Sequence, residues 1–172
     1  RIVQRWRKTG WLSDTDQRRL QCALQNMRMA CNSTWLLDHE TDHGHKADEL
    51  LTLLDELFEQ PGAKAVVFSQ WLGTHEVLLR RLAERAAQQP AERRWRHVFF
   101  HGGVPAEQRG VLVERFHIDP NCRLFLSTDA GSTGLNLQHA AAVVVNMDLP
   151  WNPALLEQRI GRLDRVGQRN IV

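Results

Sequence analysis

The sequence predicts a three-layer α/β fold with a mainly parallel sheet, and three observations carry that prediction. Short continuous apolar runs such as Ala65-Val66-Val67-Phe68 alternate with amphipathic stretches of helical period, as expected for strands buried on both faces and joined by crossover helices. Each apolar run is followed by a small, polar or Gly-bearing loop, and ligands of open α/β sheets sit beyond the carboxyl ends of the strands. With 42% hydrophobic residues in a chain of 172, one sizeable core can be buried.

Taken in order, residues 14–37 read as a helix capped by Asp14 or Asp16, with Leu20, Leu24, Met27 and Cys31 on its apolar face. A polar loop over 38–45 ends it. Lys46 to Glu59 is a second helix, striped by Leu50, Leu53, Leu54, Leu57 and Phe58 and stopped by Pro61-Gly62. Residues 65–68 are a strand, and Thr74 to Ala87 a helix with Val77, Leu78, Leu82 and Ala86 inward. Val98-Phe99-Phe100 is the next strand. Pro105 opens a helix that turns Val111, Leu112, Val113 and Phe116 to the core, and Asp119-Pro120-Asn121 closes it. Residues 123–127 and 141–146 supply two further strands, and a last helix runs from about Pro153 to Arg165. Residues 1–45 are thus a basic helical segment leading into a domain of residues 46–172. Beginning at Arg1 rather than Met, and ending soon after an Arg-rich motif, the chain reads as a piece excised from a longer polypeptide.

Positive charge is carried almost entirely by Arg, with only Lys8, Lys46 and Lys64 beside it, for a net charge of +2. Arg1, Arg5, Arg7, Lys8, Arg18, Arg19 and Arg28 crowd the first 37 residues, and Arg80 to Arg96 form a second cluster. Such local excess suits a polyphosphate backbone; the codon bias of a GC-rich, bacterial genome accounts for it equally well. Cys22, Cys31 and Cys122 lack C-x-x-C spacing, which argues against a zinc ribbon or disulfide framework and for a reducing compartment. His39, His43 and His45 read as an exposed loop, and no metal ligands are assigned. Trp6, Trp11, Trp35 and Trp95 belong to no motif and are expected to pack. No apolar run approaches the roughly 18 residues of a membrane span, and no signal peptide is evident.

The chemistry concentrates near the carboxyl end, in Gln158-Arg159-Ile160-Gly161-Arg162-Leu163-Asp164-Arg165-Val166-Gly167-Gln168. On a helix, Arg162 and Arg165 share a face. Two planar, permanently charged guanidiniums there suit the terminal phosphates of a nucleotide, and such fingers accelerate phosphoryl transfer on the order of a thousandfold or more. A solvated Arg stripe is the alternative.

Four segments in register with the strands resemble the second RecA-like lobe of superfamily 2 helicases, and within it the Swi/Snf-type ATPases. Val66-Val67-Phe68-Ser69-Gln70-Trp71 is similar to motif IV, and His101-Gly102-Gly103 with Gln108-Arg109 to the element after it. Residues 127–137 are similar to motif V and residues 158–168 to motif VI. Leu155 to Arg162 is closest to the bacterial RapA-like branch, whereas eukaryotic remodellers usually have Asp in place of Gly161, and Ser132 departs from the common Ala-Gly-Gly form of motif V. The resemblance implies an α/β/α RecA-like, P-loop NTPase-type domain. It also implies an ATP-dependent double-stranded DNA translocase in which Arg162 and Arg165 act as arginine fingers.

Under the same resemblance, Gly134, Asn136, Gln158 and Gln168 face nucleotide. Ser69, Gln70, Gly102, Gly103, Thr128, Gly131 and Trp151 face nucleic acid, with hydroxyls and close backbone amides holding sugar-phosphate without reading sequence. Plain turn geometry is the alternative for the glycines, a capping or turn role for Asn136, and core packing for Trp151. The chain has no G-x-x-x-x-G-K-[ST] loop and no Asp-Glu pair after a strand, so ATP and Mg2+ are expected to be held mainly by an N-terminal RecA-like lobe of the same polypeptide, and this lobe alone to be inactive. The partners expected are double-stranded DNA, that first lobe and, through the RapA likeness, RNA polymerase. No membrane partner is expected. The expected location is the bacterial cytoplasm and nucleoid, or the nucleus for a eukaryotic source. A lobe acting on RNA and a non-catalytic nucleic-acid-binding module are the rival readings.

Overall fold

Four strands, β1 (Ala65–Ser69), β2 (Arg96–Phe100), β3 (Cys122–Thr128) and β4 (Val143–Asn146), pair in parallel in the order β2-β3-β1-β4 in the computed structural model. The structure describes residues 2–90, 94–130, 137, 140–141 and 143–163. Because every strand runs the same way, all four carboxyl ends meet at one rim. β1 is wholly buried along its length, as a central strand of Val and Phe covered on both faces should be.

Alternation along the strands sorts the core into two halves. Ala65, Val67, Leu124 and Leu126 face one side, where they meet α3 (Trp35–Asp38), α4 (His45–Phe58) and α5 (Leu72–Gln88) through Leu36, Leu54, Val77 and Leu78. Val66, Phe68, Val98, Phe100 and Phe125 face the other, against Phe116 of α6 (Ala106–Ile118) and against Leu137, Ala141 and Leu163. The three-layer α/β fold expected from the sequence is present. Lys64, buried just before β1, donates to the carbonyls of Phe116 and, at 2.9 Å, Asp119. A cation there suits the carboxyl end of α6, although burial lowers the lysine's pKa.

Several expectations are corrected. The helix predicted over 14–37 is two elements, α2 (Asp14–Ala30) and α3, and its cap is Ser13, whose hydroxyl accepts from the Asp16 amide at 3.2 Å. Its apolar face is not buried: Met27 is 65% exposed, Leu24 39%, and Cys31 is also exposed, while Asp16 is the buried residue of α2. α1 (Ile2–Thr9) carries no buried residue, and Trp6 and Trp11 are exposed rather than packed. Leu53 on α4 and Val111 on α6 point outward. Gly62, at φ +75°, makes the left-handed turn after α4 that a side chain would strain.

The last helix, α7 (Pro153–Ile160), is shorter than predicted. Asn152 caps it by accepting from the Ala154 amide at 3.0 Å, and Pro153 occupies its first turn. After Ile160 the chain tightens: the Arg162 amide bonds to the Arg159 carbonyl at 3.2 Å and Leu163 to Ile160 at 2.9 Å, both three residues back. Arg162 therefore leaves from a turn and not from a helix face, and Arg165 lies outside the described residues.

Candidate functional site

At the carboxyl rim the strand-end loops are held together by one buried guanidinium. Arg159 on α7 is 1% exposed. Its Nε and Nη2 donate to the two carboxylate oxygens of Asp129, after β3, at 2.6 and 2.8 Å. Nη1 donates to Asn146 Oδ1 at 3.0 Å and to the Asp148 carbonyl at 2.7 Å, and Nη2 also to Asp148 Oδ1 at 3.2 Å. A guanidinium has five N–H donors, and here each has an acceptor. Burial works against its charge, but the carboxylates of Asp129 and Asp148 outweigh it and raise the pKa above the ordinary Arg value.

Asp148 passes this anchorage to β1. Its Oδ2 accepts from the Ser69 hydroxyl at 2.5 Å and from the Gln70 amide at 3.1 Å. Asn32, past the end of α2, donates to Thr74 Oγ1 at 2.9 Å and to Asp148 Oδ2 at 3.4 Å, and accepts from Lys46 at 3.3 Å. One network thus joins the ends of β1, β3 and β4 to α7 and to the segment between α2 and α4. At the outer edge, the Arg28 guanidinium lies 5.0 Å from the Trp71 ring centroid and 5.4 Å from that of Trp151, and donates to the Leu149 carbonyl at 2.7 Å.

The loop after β2 has its own bracing. His101 Nδ1 accepts from the Gly103 amide at 3.1 Å, while Arg109 donates to the carbonyls of Val104 at 3.0 Å and Gly102 at 3.1 Å. A Cβ on residue 103 would sit 3.0 Å from His101 Cε1, so this close approach favours Gly; one on residue 102 would meet Ala130 at an ordinary 3.6 Å.

Against the expected site residues the structure divides. Ser69 and Thr128 are buried behind the rim, and the Ser69 hydroxyl is spent on Asp148. The Gln70 side chain, Gly102, Gly103 and Gln158 are exposed, and Trp151 is 74% exposed, which removes core packing as its explanation. Arg162 is half-buried, one tight turn after the anchored Arg159, and its carbonyl accepts from Leu137 at 3.2 Å. Gly131, Gly134, Asn136, Arg165 and Gln168 lie outside the described residues.

Arg159, Asp129, Asp148 and Asn32 were not among the expected residues. Their signal was a carboxylate just after each of two strand ends and a third arginine inside the quoted motif. In both loops the carboxylate is neutralised by the resident Arg159.

Residues 45–167, well over half of the chain, match the family described as the helicase conserved C-terminal domain. The chain belongs to this family. Among the relatives of this helicase C-terminal domain are the SNF2 domain-containing protein CLASSY 3 of Arabidopsis thaliana, 36% identical over 68% of the chain, and the RNA polymerase-associated protein RapA of Yersinia pestis, 38% identical over 67%. The chain spans 8% and 11% of the length of those two proteins. Its fold is shared with the Sulfolobus solfataricus SWI2/SNF2 ATPase core in complex with dsDNA, at a TM-score of 0.73 and 21% identity, covering 99% of this chain and 35% of that one. It is shared also with the C-terminal part of the Fun30 ATPase domain, at 0.63 and 22%, covering 96% and 50%. The helicase C-terminal domain therefore has the RecA-like architecture, and its sequence relatives are SNF2-type and RapA proteins.

Proposed function

We propose that this chain is the second ATPase lobe of an ATP-driven double-stranded DNA translocase of the Swi/Snf type. The observation that carries the reading is the buried Arg159 network, which brings the ends of β1, β3 and β4 together at one rim and launches the Arg162 turn directly from it. Ligands of parallel α/β sheets bind at this rim. A first lobe docked there holds the triphosphate, and Arg162 with Arg165 neutralises the charge that develops as the phosphoryl group leaves. Gly134, Asn136, Gln158 and Gln168 are assigned a role in nucleotide binding. Gln70, Gly102, Gly103 and Trp151 line the nucleic-acid groove, with Ser69 and Thr128 supporting it from beneath, and Gly131 is assigned a role in nucleic-acid binding.

Among the described residues no group of three or more His, Cys, Asp or Glu side chains could hold a metal ion, and the rim carboxylates Asp129 and Asp148 are committed to Arg159. The metal is assigned to the first lobe, where it offsets phosphate charge. The RapA likeness favours a second reading, a motor of the same build that acts on RNA polymerase.

Substituting Arg162→Ala in a polypeptide carrying both lobes is expected to lower DNA-stimulated ATP hydrolysis by about a hundredfold or more, with an unchanged thermal melting profile. Wild-type turnover would remove the finger role. Comparing stimulation by duplex DNA, single strands and RNA separates the DNA motor from an RNA-directed one.

A further inference from the structure

The conserved-domain match begins at residue 45, yet the rim is completed by a residue well before it. We propose that Arg28 of α2 is a positioning residue that sets the orientation of Trp151. This rests on the proposed function, which places Trp151 in the nucleic-acid groove.

Trp151 sits in the short connection between β4 and α7, with a largely solvent-exposed ring. An exposed indole on an irregular loop needs an external brace to keep one orientation. Arg28 supplies it at two levels, because its guanidinium lies 5.4 Å from the Trp151 ring centroid while Nη2 bonds the Leu149 carbonyl two residues earlier at 2.7 Å. Ring and backbone of one loop are thus referred to one cation. The same guanidinium meets Trp71, which packs against the α3–α5 half of the core, at 5.0 Å, and Gln70 Oε1 at 3.4 Å. One guanidinium thus contacts both Trp71 and Trp151 and links the loop after β1 to the loop after β4.

The way α2 is attached supports the assignment. With Met27 and Leu24 exposed, α2 is not seated by its apolar stripe; at its carboxyl end it reaches the rim through Arg28 and, four residues on, through Asn32. The geometry also selects the side chain. A broad, planar guanidinium can contact two indoles at once while an N–H donates to a carbonyl, which a compact ammonium does not reproduce.

The test is a double-mutant cycle in the full-length protein, reading ATP hydrolysis against duplex DNA concentration. Arg28→Ala is expected to raise the DNA concentration for half-maximal stimulation about fivefold, the upper scale of one solvent-exposed cation–π contact, with the ATP KM unchanged. Arg28→Lys, which keeps charge without the plane and guards against a folding defect in the Ala variant, should recover less than half of that shift. In a Trp151→Ala background, Arg28→Ala should add less than twofold. A wild-type response in Arg28→Ala beside an impaired Trp151→Ala, full recovery in Arg28→Lys, or effects that multiply would each overturn the positioning role alone. A wild-type response in Trp151→Ala would overturn the groove reading of Trp151, and the positioning role with it.

Discussion

Arg159 illustrates how a single buried charge can organise a rim. Removing it strands the carboxylate of Asp148, itself only 5% exposed at the side chain, and exposes that of Asp129 to a site shaped for a cation. Arg159→Met is therefore expected to destabilise the lobe by about 3–5 kcal/mol, the cost of breaking one side of a buried ion pair. Urea denaturation measures it, and a loss under 1 kcal/mol would mean that the network contributes no more than an exposed pair. Arg159→Lys should also lose stability, since an ammonium cannot grip Asp129 with two parallel bonds and still reach Asn146. Arg162 follows Arg159 by one turn, so the position of a proposed finger depends on this buried anchor.

At the scale of the element, the apolar stripes of α2 and α4 look alike in sequence and differ in fate. Leu50, Leu51, Leu54 and Phe58 of α4 are buried against the sheet, whereas Leu24 and Met27 of α2 face outward. Leu54→Ala should cost about 2–5 kcal/mol, as a large-to-small change in a packed core does, while Met27→Ala should stay within about 0.5 kcal/mol. Thermal or chemical unfolding of the two variants side by side checks the contrast, and equal losses would show that α2 is seated by its apolar face after all. The strands and α4 to α6 were legible in the sequence because period and burial agree over most of their length, Leu53 and Val111 excepted. The end of α7 was not, since the i→i+3 bonding after Ile160 leaves no mark in an amphipathic pattern that runs on to Arg165.

For the whole molecule, pH couples to folding through His75, which is fully buried beneath the rim with Nε2 3.0 Å from the Ser127 carbonyl and its ring 5.1 Å from that of Phe99. Burial pushes its pKa down to about 4 from an ordinary 6.5, despite the carbonyls of Ser127 and Ser69. Between those values the unfolded chain takes up a proton that the folded chain refuses. The stability this histidine supports is thus complete above pH 6.5 and is lost as pH falls toward 4, by about 3 kcal/mol at most. A His75→Gln variant should show a flatter dependence of unfolding free energy on pH across that window, and identical slopes would show that His75 is not the group titrating. By itself the sequence determined the strands, the parallel architecture and the motif loops at their carboxyl ends, because strand burial and turn chemistry are written locally in residue type and period. Tertiary structure alone decided that Ser69 and Thr128 lie behind the surface, that Arg159 fastens Asp129 to Asp148, and that Arg28 reaches Trp151. Those contacts join residues 11 to 123 positions apart, and such pairings are set by how the layers close on one another rather than by any pattern along the chain.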